Sequence, residues 1–90
     1  MDEGEEETRA VLQHMYERNV ITKKELEDMN SIIDNDGTFA AHAGISAVVE
    51  NSSRDIPADV LDEILALEPF FDEEYYQDML DALAAQSTKH

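Results

Sequence analysis

The chain is expected to fold as an all-α protein, a compact bundle of four to five short helices forming one domain over residues 1–90. Two patterns point there. Apolar residues return at three- and four-residue intervals in the long segments, the period of a helix face. Between those segments fall helix-start and helix-stop residues, notably the Thr22–Glu25 pair, Gly37, Pro57 and Pro69. A chain this short buries a modest fraction of its surface. With 22 acids against six Lys and Arg, the monomer is expected to be marginally stable, helped by salt, dimerisation or a basic partner.

The first helix is expected from about Glu5 to Arg18, with acids suited to the positive end of its dipole and a Val11, Leu12, Met15 stripe. Tyr16 edges that stripe, and Asn19 stops the helix. Thr22-Lys23-Lys24-Glu25 has the spacing of a capping box, and Leu26, Met29, Ile32 and Ile33 follow on one face. Asp34-Asn35-Asp36-Gly37 ends the second helix with residues that tolerate left-handed backbone. Thr38 is read as the cap of a third helix, about Phe39 to Asn51, which carries no charge before Glu50 and so belongs in the interior. The β-branched residues at 45–49 leave a short strand as the competing reading. After a loop at Asn51–Arg54, Pro57 opens a fourth helix with Val60, Leu61, Ile64 and Leu65 toward the core. Glu68-Pro69 ends it, since the residue before proline avoids helical backbone. Phe70-Phe71 links it to a fifth helix capped by Asp72. Tyr75, Tyr76, Met79, Leu80 and Leu83 form the apolar side of that helix, and Glu74, Asp78 and Asp81 stack opposite. Residues 1–4 and 87–90 are expected to fray.

Charge is the strongest functional clue. From Asp55 to Asp81 there are ten carboxylates and no Lys or Arg, and five more acids open the chain, giving a formal net charge of −16. Such a field repels nucleic acid and anionic membrane and attracts basic protein surfaces. Ordinary helix surfaces mix signs to gain i,i+4 pairs, whereas this segment accepts repulsion. Acids at i+4 stand roughly 6 Å apart along a helix, a row that Lys and Arg of a phosphate-binding surface can pair with. Phe70-Phe71 and Tyr75-Tyr76 lie among these acids. Aromatics ringed by acids suit the anchoring of a basic partner. Phe70 and Tyr76 are read as packing residues, with Phe71 and Tyr75 as anchors. A solvated face that serves solubility, or adaptation to high salt, is the bland alternative.

Other chemistry finds little support. Cysteine is absent, which removes disulfides, thiolate zinc sites and cysteine nucleophiles. Aligning Gly37 with the glycine of a calcium-binding loop puts Ile32 and Ala43 at ligand positions, so no calcium site is read there. His14 and Glu17 have no matching second pair, and His42 sits in an Ala-rich helix as a core histidine. The serines have no recognisable base nearby, so no enzyme, metal or cofactor is expected. The acidic start lacks the apolar stretch of a signal peptide, and no apolar run reaches the roughly 20 residues of a membrane span. A cytoplasmic location is the expectation.

In size, helical content and acid load the chain resembles two groups. One is the small acidic phage-encoded DNA-mimic inhibitors, of anti-CRISPR and anti-restriction type. The other is the helical immunity proteins that neutralise nuclease toxins. These present acids around a Tyr-Tyr pair, as Tyr75-Tyr76 stands within Glu73, Glu74 and Asp78. Segment 68–81 carries the resemblance. It implies an inhibitor acting in a host-cell cytoplasm that occludes the basic surface of a nuclease or CRISPR-type effector and does not itself bind nucleic acid. The partner-binding candidates are Asp59, Asp62, Glu63, Phe71, Glu73, Glu74, Tyr75, Asp78 and Asp81. The alternative is a helical homodimer or assembly subunit joined through residues 39–49.

Overall fold

The computed structural model describes residues 4–51 and 56–87. The expected fraying at 1–3 and 88–90, and the loop residues Ser52–Arg54, lie outside the described residues, as does Asp55. Over the described residues the chain is an all-α bundle of five helices: α1 (Glu5–Glu17), α2 (Lys23–Asp36), α3 (Thr38–Glu50), α4 (Ala58–Leu65) and α5 (Glu73–Ser87). A single 3-10 turn, Glu68–Phe70, joins the last two. Residues 45–49 are helical, so the strand reading falls. None of the described helices is long and apolar enough to cross a membrane.

Local chemistry explains most of the boundaries. At the end of α1, Asn19 takes φ 64°, and the Val20 N–H donates to the Met15 carbonyl at 2.8 Å while Asn19 N–H donates to Tyr16 at 3.0 Å. This satisfies the last carbonyls and turns Val20 inward onto Met15, both buried. The capping box at α2 is complete: Glu25 N–H donates to Thr22 Oγ1, and Thr22 N–H donates to Glu25 Oε1. Gly37 alone separates α2 from α3 and holds φ 85°. Thr38, expected as the cap of α3, is instead its first residue and is buried, because the sharp reversal at Gly37 drives it inward. Asp72 Oδ2 accepts from the N–H groups of Glu74 and Tyr75 and so caps α5 as expected. Gly4, assigned to a frayed end, is buried under Phe70 at φ 81°. A Cβ there would meet the Phe70 ring at 2.5 Å, so the close approach needs glycine.

The uncharged helix α3 is central and packs mainly on α5 and α2. Ile45, Val49, Met79, Leu12, Met15, Val60 and Ile64 are essentially inaccessible to solvent. The apolar stretch that the sequence offered as a possible dimer face is thus largely consumed by the protein's own core. Polar ties add register. Arg9 bridges α1 to α2 through Asn30 Oδ1 at 2.9 Å and Asp34, and also holds Glu5 one turn back. Its guanidinium pKa is raised, first by the hydrogen bond to Asp34.

Candidate functional site

The acidic segment divides into two parts because its helices dock on different neighbours. α4 packs on α1, and α5 packs on α3. The Tyr76 hydroxyl ties the two helices together, donating to the Leu65 carbonyl at 3.0 Å. Burial, and then the charge of Glu68, raises the Tyr76 pKa, so this donor stays protonated at neutral pH.

Docking α4 on α1 gives its acids partners invisible in the linear sequence. Arg18 donates to Asp59 Oδ2 at 2.6 Å across 41 residues. His14 lies between Asp59, at 3.3 Å, and Glu63. Asp59 and Glu63 therefore act first as an internal clamp between α1 and α4, while Asp62 points away from it and is exposed. All three lie on the side of α4 away from the core, Asp59 and Asp62 exposed and Glu63 partly so.

On α5 the picture differs. Glu73, Glu74, Asp78 and Asp81 are exposed. The ion pairs among the described residues engage Arg9, Arg18 and Lys24, and neither these nor the contacts of His14 include Asp62, Glu68 or the α5 acids. At 100° per residue, Glu74, Asp78 and Asp81 form the outward crest of α5, opposite buried Met79. Gln77 donates to Asp81 at 3.0 Å on the same crest.

The aromatic residues settle differently from the sequence reading. Phe71 is only 8% exposed and stacks on His42 with ring centroids 4.4 Å apart and 19° between planes. It also meets Tyr76 edge-on at 5.8 Å. Phe71 is thus a packing residue and not a projecting anchor, since the turn before α5 aims it into the α3–α5 interface. His42, 1% exposed, pairs with Thr8 Oγ1 at 3.0 Å, as befits a core histidine. Burial lowers its pKa, with Asp72 pulling the other way. Tyr75 is half-buried and lies against Phe39 at 5.4 Å. Ser46 Oγ, a donor, is 3.2 Å from the Tyr75 carbonyl and 2.7 Å from Glu50 Oε2, fixing α5 on α3.

Two residues were missed. Among the described residues the exposed large apolar side chains are Phe39 (58%) and Leu80 (37%). Leu80 was assigned to the core side of α5, but the helix is rotated so that Met79 takes the core. Phe39 stands against Tyr75 on one flank of the acidic crest, and Leu80 stands on the other. Beside Leu80 a groove of about 780 Å³ runs between the 3-10 turn and α5. Pro69, Phe71, Tyr76 and Leu80 give it an apolar floor, and Glu68, Glu73 and Glu74 stand at its edges with Gln77. The only signal for Leu80 in the sequence was its place at the edge of the apolar arc.

No group of three or more His, Asp or Glu side chains suited to a metal ion occurs among the described residues. No protein family, curated protein or solved structure matches this chain.

Proposed function

We propose that this protein is a non-enzymatic inhibitory binding protein whose acidic face covers the basic nucleic-acid-binding surface of another protein. The observation that supports this most is the α5 crest: a row of carboxylates without ion-pair partners among the described residues, flanked by two exposed large apolar side chains, Phe39 and Leu80. Acids steer and orient a basic partner, and the apolar flanks supply burial once it docks. Asp62, Glu73, Glu74, Tyr75, Asp78 and Asp81 form the contact set in this reading. Asp59 and Glu63 hold α4 in place, and Phe71 supports the floor. The likeness in character to DNA-mimic inhibitors of nucleases and CRISPR-type effectors belongs to the same proposal, as does action in a cytoplasm.

The test is capture of partners from a cell lysate at about 100 mM and about 500 mM salt, with DNA as competitor. A nucleic-acid-binding protein retained at low salt, released at high salt and displaced by DNA is the expected result. Retention indifferent to both would overturn the reading. Charge reversal at Asp62, Asp78 and Asp81 should weaken that binding far more than reversal at Glu27 or Asp36, which are exposed acids of α2. Glu25 and Asp34 are poor controls, because one completes the capping box and the other holds Arg9. The alternative, self-association, has Phe39 as the exposed large apolar side chain of α3. Sedimentation equilibrium over a range of concentrations decides it, with a stable dimer lost in Phe39→Ser as its signature.

A further inference from the structure

We propose that the groove between the 3-10 turn and α5 receives an apolar side chain carried on an arginine- or lysine-rich segment of a protein partner. The inference rests on the reading just given and makes it specific: it names where the basic partner is anchored and what chemistry the anchoring segment has. Three observations carry it. The groove, about 780 Å³, falls in the size range of binding clefts and is larger than one side chain needs. Its floor is apolar, and Leu80 is left 37% exposed there while the preceding residue, Met79, is fully buried. Its edges carry Glu68, Glu73 and Glu74, none of which forms an ion pair among the described residues.

Charge selects the occupant. A second copy of the chain would bring its own net charge of −16 to an acidic rim, and nucleic acid would bring phosphates; both are repelled. The start of α5 contributes roughly half a positive charge from its dipole. Asp72 caps it and three glutamates surround it, so the local field is negative and favours cations. A basic segment satisfies the rim, and one leucine-sized or aromatic residue among its cations covers Leu80, Pro69 and Tyr76. This is the arrangement of an apolar anchor within a charged ring.

The test uses two fluorescent peptides identical in their flanking arginines and differing only in a central alanine or leucine. Their anisotropy is followed at about 50 mM salt. The leucine peptide should bind about tenfold more tightly than the alanine peptide. Leu80→Ser should remove that difference and leave the alanine peptide unaffected, and Leu80→Asn, which puts an amide in the floor, should do the same. Both variants change an exposed side chain, and circular dichroism checks their folding. Glu74→Gln with Asp78→Asn should weaken both peptides alike. Equal binding of the two peptides by the unaltered protein, or a difference that survives both Leu80 variants, overturns the groove while the acidic-face reading stands. Binding of neither peptide overturns both.

Discussion

Replacing Asp78 by lysine should make this protein more stable and a poorer binder at the same time. Asp78 lies in the middle of α5, four residues after Glu74 and three before Asp81, and all three are exposed. Neighbours at these spacings on a helix face each other, and each like-charged pair costs about 0.2–0.5 kcal/mol. Lysine at this position removes two repulsions and creates two attractions. The Glu74–Lys pair has its acid toward the N-terminus, the better orientation. After solvent screening the net gain is about 1 kcal/mol. For a domain of this size that raises Tm by about 4–8 °C. Melting followed by circular dichroism at about 20 mM salt measures it. The gain should shrink near 1 M salt, where the screening length is about 3 Å. The same variant should associate more slowly with a basic partner. An unchanged or lowered Tm at low salt would refute the claim that the α5 acids repel one another. Unchanged binding would refute their role as a docking face.

Three further outcomes are expected. Ile45→Ala, at a fully buried position of the central helix, should cost about 2–5 kcal/mol, a large share of the total stability of a small domain; urea unfolding should show a much lower midpoint. Thr22→Ala removes one half of the capping box and should cost about 1 kcal/mol, visible as a Tm several degrees lower. His42 carries a lowered pKa because it is buried, so the unfolded ring takes up a proton more readily than the folded one. Its contribution to stability is then complete above the ordinary histidine pKa of about 6.5 and is lost as pH falls through that value toward the folded pKa. His42→Gln keeps a partner for Thr8 and does not titrate, so its Tm should fall less steeply than that of the parent between about pH 7 and about pH 5.5.

The helices were legible because their signals are local. The Thr22–Glu25 box, the Asp72 cap and Gly37 act within one turn of chain, so the sequence alone carries them. The apolar periodicity likewise marked Met15, Met79, Val60 and Ile64 as core. Where the local rule left two answers, the surroundings chose. Phe71 was buried rather than left as an anchor, because the turn before α5 directs its ring onto His42. Leu80 was left outside, because α5 is rotated to seat Met79 against the core.

By its own sequence this protein is fixed as an acidic all-α chain with its negative charge gathered toward residues 55–81. Covalent order sets charge density, and helix period sets which acids share a face. Which acids remain available to a partner was decided only by tertiary structure. Arg18 pairs with Asp59, and the His14 ring contacts Asp59 and Glu63, from a segment far away in sequence, and the α5 acids acquire no such partner among the described residues. The reason is physical: an ion pair depends on which helix faces meet and at what rotation. That is set by the packing of α3 between its neighbours and by the docking of α4 on α1, neither of which any single segment encodes.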